Sequence, residues 1–287
     1  MTAYHQPTSL AQALEVLGRE PSLTVLAGGT DVYPAQTGRA TWGSRTLHAM
    51  LDLSRIAALR GITALPDRWR IGAMTTWTDI AAARDLPPLF DGLKAAAREI
   101  GGIQIQNRGT IAGNICTASP AGDSIPCLLA LDAEVRLASV AGARVVPLAD
   151  FLTGYRRTVL QPGELVVGFD IPKQAGRGHF LKLGARRYLV ISIAMVSGTF
   201  DIDDASGIVR SARIAIGACS AVAQRLPRLE ARLVGQRIGA VQPVADDLAH
   251  LAPIEDVRAS AAYRRAAALQ LVADLLSVAA QSVRRAA

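Results

Sequence analysis

Two short stretches carry the residue types from which a binding site can be built: "LAGGTD" (26–31) and "TIAGNICTASPAGDSIP" (110–126). Each has an apolar lead-in, small residues at a turn, and polar residues directly after it: Thr30 and Asp31 in the first, Asn114 in the second. Glycine lets backbone N–H groups converge with no Cβ in the way, and such nests bind anions such as a pyrophosphate. Two nests can clamp one diphosphate from both sides. A lone "GGT" is equally an ordinary tight turn, so the argument rests on the pair together with the nearby "SPAGD". In that segment Asp123 follows Pro120 and Gly122, where a carboxylate can accept hydrogen bonds from sugar or ribityl hydroxyls. The same residue can instead cap a helix running from Ser124 to Leu131, and it can do both.

Other chemistries find little support. His5, His48, His179 and His250 are scattered without catalytic or metal-ligand spacing. Cys116, Cys127 and Cys219 are an odd number without CxxC spacing, which argues against a disulfide framework, a zinc site or an iron–sulfur cluster held by this chain. The formal charge of +7 invites a nucleic-acid reading, yet the cations are dispersed; the densest patches, "GARRY" and the terminal "VRRAA", interleave no stacking aromatics. A solvated face or a surface for an acidic partner protein is the better expectation, with no nucleic acid.

Positioning these residues requires a folded core, and 287 residues with 50% hydrophobic content are enough for two ordinary domains. No uninterrupted apolar run reaches the roughly 18 residues of a membrane span, and the start has no charged segment leading into an apolar one, so a cytoplasmic location is expected. "SLAQALEVLG" reads as a helix with Ser9 and Gln12 in capping-box spacing, Leu10, Ala13, Leu14 and Leu17 on one face, and Gly18 at its end. "LTVLA" (23–27) reads as a buried strand feeding the first glycine turn; "MLDLS" and "WRIGA" read as further strands. "TTWTDIAAARDL" and "LFDGLKAAAREI" have helical composition. Strands and helices mix here without the alternation or glycine fingerprint of a nucleotide-binding βαβ unit, so the fold class is α+β.

After a Pro- and Gly-containing link at 172–179, "HFLKLGARR", "ISIAMVSGTFDID" and "IVRSARIAIGAC" alternate as antiparallel strands around an Asp- and Gly-rich turn. The last 30 residues form one helix with Leu269, Val272, Leu276, Ala279 and Val283 as an apolar stripe for that sheet. The expected organisation is 1–175 and 176–287.

"LAGGTDVYP", "GTIAGNICTASPAGDSIP", "FLKLGARR" and even "SAAYRRAAA" (260–268) resemble, in order and spacing, the FAD-binding medium subunit of molybdenum hydroxylases, which includes the flavin subunits of bacterial xanthine dehydrogenase and carbon monoxide dehydrogenase. The resemblance covers essentially the whole chain. It implies an N-terminal FAD-binding domain of the vanillyl-alcohol-oxidase (PCMH) type in two α+β lobes, then a smaller C-terminal α/β domain with an antiparallel sheet and packed helices.

By the resemblance, Ala27, Gly28, Gly29, Thr30 and Asp31 form the first pyrophosphate loop, and Thr110, Gly113 and Asn114 the second. Asp123 takes the place of an acidic flavin ligand, Lys182 that of a lysine near the flavin ring, Val166 that of an apolar backbone contact, and Ile191 lies over one isoalloxazine face. Two departures stand out. Ala112 occupies a usual glycine position, and Tyr188-Leu189-Val190 replaces polar or acidic residues of some NAD-reducing members, which points to oxygen, a quinone or a carrier protein as acceptor. With no His or Cys in either glycine turn, FAD is expected to be non-covalent.

The function so implied is electron transfer: electrons from a [2Fe–2S] subunit pass through FAD to an external acceptor while a heteroaromatic (xanthine-like) or aldehyde substrate is oxidised elsewhere. Molybdenum cofactor and clusters belong to a large and a small partner subunit, in a dimer of heterotrimers. Two alternatives remain open: a stand-alone flavin oxidase or reductase of the same fold, which needs its own acid or base, and a non-catalytic basic adaptor, which leaves the glycine turns unexplained.

Overall fold

The computed structural model describes residues 3–37 and 49–286; His48, and the side chains of Arg284 and Arg285 in the terminal basic patch, lie outside the described residues. The chain opens with β1 (Tyr4–His5), α1 (Leu10–Arg19), β2 (Thr24–Leu26), α2 (Val32–Thr37) and β3 (Met50–Asp52), and the three strands form a small parallel sheet in the order β1-β3-β2. Ser9 caps α1 by accepting from the Gln12 amide, but the Gln12 side chain accepts from the N–H and hydroxyl of Thr8. The reciprocal half of the expected box thus falls one residue early. Gly18 does not stop the helix, which runs on to Arg19.

Next come β4 (Ile62–Ala64), β5 (Arg68–Gly72), α3 (Trp77–Ala82), α4 (Asp91–Glu99), α5 (Ile103–Arg108), α6 (Ile111–Thr117), α7 (Ser124–Ala130), β6 (Glu134–Ser139), β7 (Gly142–Pro147), α8 (Leu148–Phe151), β8 (Leu152–Gly154), β9 (Arg157–Thr158) and β10 (Leu165–Pro172). Five of these strands make an antiparallel sheet in the order β4-β5-β10-β6-β7. Alternation puts Ile71, Val135, Leu137, Phe169 and Ile171 on the face that the helices cover, where Trp77, Ile80, Phe90, Ile111 and Ile115 meet them in one core. This mixture of helices with antiparallel and short parallel sheets is the expected α+β class.

The remaining elements are β11 (Arg177–Leu183), β12 (Ala194–Ile202), β13 (Val209–Gly217), β14 (Gln224–Arg225), α9 (Pro227–Leu233) and α10 (Ala261–Ala286). Their antiparallel sheet, β11-β12-β13-β14, is covered on both faces. Val196, Ile214 and Ile216 face α9 and α10, while Met195 and Ala215 join the core of the five-stranded sheet. All seven residues of α7 are buried, because this helix packs on β12 and β13. The terminal stripe behaves as expected: Val272, Leu276 and Ala279 are buried, and Leu269 and Val283 pack beside them. By length and composition Ala261–Val283 is apolar enough to cross a membrane, although Arg264, Arg265 and Asp274 interrupt it so that no uninterrupted apolar run of that length exists, and its apolar face is occupied by β12.

Polar ties reinforce this docking. Asp123, just before α7, accepts from Lys182 Nζ at 2.7 Å and Ser192 Oγ at 2.5 Å, and all three side chains are buried or nearly so. Asp132 is shared by Arg213 and Arg225, and Arg225 also holds Glu230 at 2.6 Å. Thr199 Oγ1 donates to Ala130 O at 2.8 Å.

Two outcomes follow for stability. Leu276→Ala should cost about 2–5 kcal/mol in chemical denaturation, whereas an outward-facing stripe would lose under about 0.5 kcal/mol. Asp123→Ala should cost about 3–5 kcal/mol by stranding the Lys182 ammonium, and Asp123→Ala combined with Lys182→Met should recover most of that loss. Additive losses in the double variant would show that the pair does not act as a unit.

Candidate functional site

The first glycine segment links β2 to α2 and is shaped by two steric constraints. Gly29 has φ +75°, in the left-handed region. Gly28 lies so close to the end of α5 that a Cβ there would sit 1.9 Å from the carbonyl oxygen of Arg108. Among the described residues, the N–H groups of Gly28, Gly29, Thr30 and Asp31 have no protein acceptor. Four successive donors therefore remain available to an anionic ligand, as a nest requires.

The second segment corrects the expectation of a matching nest. Thr110 caps α6, and the first amides of that helix are already used: Ile111 donates to Thr75 O, Ala112 to Ala73 O, Gly113 to Thr110 Oγ1 and Asn114 to Thr110 O. What this segment offers is bare surface. A Cβ on Gly113 would meet only Thr110 Oγ1 at 3.0 Å and Ala27 Cβ at 4.0 Å, so it would point into the space between the two segments. Asn114 has its Oδ1 engaged by Ser124 Oγ at 2.7 Å, which leaves Nδ2 as its free polar group. Ala112 belongs to the core and is 7% exposed, so its methyl group in place of glycine intrudes on nothing.

Between the segments runs a cleft of about 520 Å³, within the usual range for small-molecule sites. The structure brings Ala27, Gly28, Gly29, Thr30, Asp31, Thr110, Gly113, Asn114 and Ile191 to its walls. A smaller lobe of about 150 Å³ continues past Ala27, Gly28 and Thr110 toward Ser54, Arg60, Thr76 and Arg108. The two cavities share Ala27, Gly28 and Thr110 as lining residues.

Asp123, Lys182 and Val166 do not line either lobe. Val166 is 5% exposed, in the core beside a bulge of β10. Asp123 makes no capping bond to α7, contrary to one of its two expected roles. Its ion pair with Lys182 stands behind the cleft wall: Lys182 also donates to Glu99 O, next to Ile100, and Ser192 adjoins Ile191. Burial pushes the Asp123 carboxyl above the usual carboxylate range, against the opposing pull of Lys182 and Ser192.

Several wall residues escaped the sequence reading: Trp77, Ile100, Gly101, Ile105, Gly109 and Thr117. One signal was available, the double glycine in "IGGIQIQNRG" (100–109), whose Gly101 has φ +59°. The histidines lie elsewhere: His5 pairs with Glu20, His179 is a mostly buried imidazole whose pKa burial lowers, and His250 bonds Arg225 O. Among the described residues, no group of His, Cys, Asp and Glu is placed to hold a metal ion.

Residues 1–174 match the family model for the FAD binding domain in molybdopterin dehydrogenase, and residues 179–279 match that for the CO dehydrogenase flavoprotein C-terminal domain. The xanthine dehydrogenase FAD-binding subunit of Escherichia coli O157:H7 is 32% identical over 91% of this chain and 90% of its own. The carbon monoxide dehydrogenase medium chain of Hydrogenophaga pseudoflava is 31% identical over 96% of each chain. A solved structure of carbon monoxide dehydrogenase from the same organism, lacking the Mo-pyranopterin moiety of its cofactor, superposes with a TM-score of 0.88 over 98% of both chains at 31% identity. With its amide nest, its bare Gly113 surface and these end-to-end matches, the chain belongs to the family of FAD-binding flavoproteins of molybdopterin dehydrogenases.

Proposed function

We propose that this chain is the FAD-binding, electron-transferring medium subunit of a molybdenum hydroxylase. The observation that carries this reading is a cleft of about 520 Å³ whose wall includes four successive residues with free amides, Gly28 to Asp31, together with the bare Gly113 surface. When bound, FAD supplies the redox chemistry that connects a one-electron iron–sulfur donor to an external acceptor.

The protein's own part is to bind, orient and shield. Gly28 to Asp31 donate to the diphosphate, Ala27 and Gly113 admit it closely, and Thr110 and Asn114 fix the facing wall. Ile191 covers one face of the flavin ring. For Asp123 to serve as a flavin ligand and Lys182 as a neighbour of the ring, the ligand would have to reach past the wall residues Ile100 and Ile191 to the ion pair behind them. Val166 keeps a backbone role. Attachment is read as non-covalent, with Cys116 of the second segment a free thiol on the cleft wall.

A small [2Fe–2S] subunit and a large molybdenum subunit complete the assembly, as a dimer of heterotrimers in the cytoplasm, with residues 1–175 and 176–287 as the two domains here. Oxidation of a heteroaromatic or aldehyde takes place in the large subunit. Tyr188 and Leu189 are about half exposed, 52% and 46%, and present apolar surface beside Ile191; this favours oxygen, a quinone or a carrier protein over NAD⁺ as acceptor.

The purified chain should titrate with FAD to a yellow, flavin-absorbing complex. Gly113→Ala should change thermal stability by no more than about 1 kcal/mol, because the gain in helix propensity is offset by the close approach of the new methyl to Thr110 Oγ1, while weakening FAD by at least about tenfold. Undiminished FAD binding in that variant would remove the cleft from consideration. The FAD-loaded chain alone should not turn over purines, aldehydes or N-heterocycles, and should do so only when combined with iron–sulfur and molybdenum subunits. Turnover by the isolated chain would replace the subunit reading with a stand-alone oxidase.

A further inference from the structure

Arg264, in the first turn of α10, is 2% exposed, and nothing in the proposed flavin site requires a cation there. Its Nη1 donates to the carbonyls of Ile193 at 2.5 Å and Ala218 at 3.0 Å, and its Nη2 donates to Asp256 Oδ1 at 2.6 Å. Asp256 is held in turn by the amides of Arg258 and Ala259. Burying a guanidinium costs solvation that an apolar side chain of the same volume would not lose, so its geometry calls for a reason beyond stability.

The bonds around it form a ring. Ser192, next to Ile193, donates to Asp123. Three residues before Asp123, the Pro120 carbonyl accepts from the Ala218 amide at 2.8 Å, and Ala218 is held at φ +60°. The circuit Arg264, Ile193–Ser192, Asp123–Pro120, Ala218 and back to Arg264 thus locks four separate segments together. Ile191, on the cleft wall, is the residue that leaves this ring.

We infer that Arg264 is a positioning residue for the flavin site: its guanidinium holds the Ile191–Ile193 segment against the Ser119–Asp123 turn, and so sets where Ile191 meets the flavin ring. A planar fork with divergent donors can grip two carbonyls and a carboxylate at once, which a lysine ammonium on a flexible stem cannot reproduce. This inference rests on the reading of the cleft as a flavin site.

The test uses the full chain with FAD. Arg264→Lys and Arg264→Met are compared with Leu276→Ala, a core truncation in the same helix with no bond to the ring. Readouts are the FAD dissociation constant, the visible circular dichroism of the bound flavin, and thermal stability. Both Arg264 variants should weaken FAD by about tenfold and change the flavin dichroism, as expected when hydrogen bonds from a charged donor are lost. Leu276→Ala should lose stability with both flavin readouts unchanged. Asp256→Asn, which keeps Arg264 but loosens its seat, should show the same dichroism change in smaller degree. Wild-type flavin readouts in folded Arg264 variants, or equal changes in Leu276→Ala, overturn the inference. So does an unchanged Asp256→Asn if the Arg264 variants do not fold. A wild-type chain that binds no FAD would instead defeat the flavin reading itself.

Discussion

A carboxylate cannot be buried alone, and the placing of Asp123 organises much of this molecule. Its partners, Lys182 and Ser192, come from β11 and the segment before β12, some 59 and 69 residues away. Satisfying both brings the start of α7 onto the C-terminal sheet, where the helix is buried on every side. The same bonds draw Ile191 to the edge of the cleft, because it adjoins Ser192. Loss of one partner would leave a desolvated charge, so the segments that carry these residues are held as a set.

The two glycine segments show how similar sequences can serve different physical ends. In the first, glycine is required because the Arg108 carbonyl leaves no room at Gly28 and because Gly29 is left-handed, and the resulting amides face no protein acceptor. In the second, the amides of Ile111 to Asn114 are already used, and Gly113 matters for what it lacks. One wall is polar and donating, the other bare and close. That asymmetry suits an elongated anionic ligand whose charge is concentrated at its middle, and it agrees with the flavoprotein family to which the chain belongs.

An electron-transferring subunit has little need of acid–base chemistry, and the site is in keeping with this. Its walls are mostly glycine, small polar and aliphatic residues with Trp77, Asp31 and Cys116 among them, and the Asp123–Lys182 ion pair lines neither cavity. Reduction or oxidation of a buried flavin depends on the position and polarity of its surroundings. Under the proposed placement of the flavin, the connections that hold Ile191, Asp123 and Lys182 in place would be the features through which this chain tunes its cofactor.

The sequence by itself determined the local elements and the family. Glycine pairs after a β-branched run, Ser9 before an amphipathic helix, alternation in β12 and β13, and the three- and four-residue spacing of the terminal stripe are short-range patterns whose physical meaning is set by neighbours along the chain. The tertiary structure alone decided the rest. That α6 spends its amides on Thr75 and Ala73, that Asp123 pairs with Lys182 instead of capping α7, that Gly101 and Trp77 reach the cleft, and that Arg264 grips Ile193 all depend on groups brought together from far apart along the chain, 59 residues for Asp123 and Lys182 and 71 for Arg264 and Ile193. Hydrogen-bond satisfaction is an accounting over the folded interior, and no window of sequence contains the partners needed to complete it.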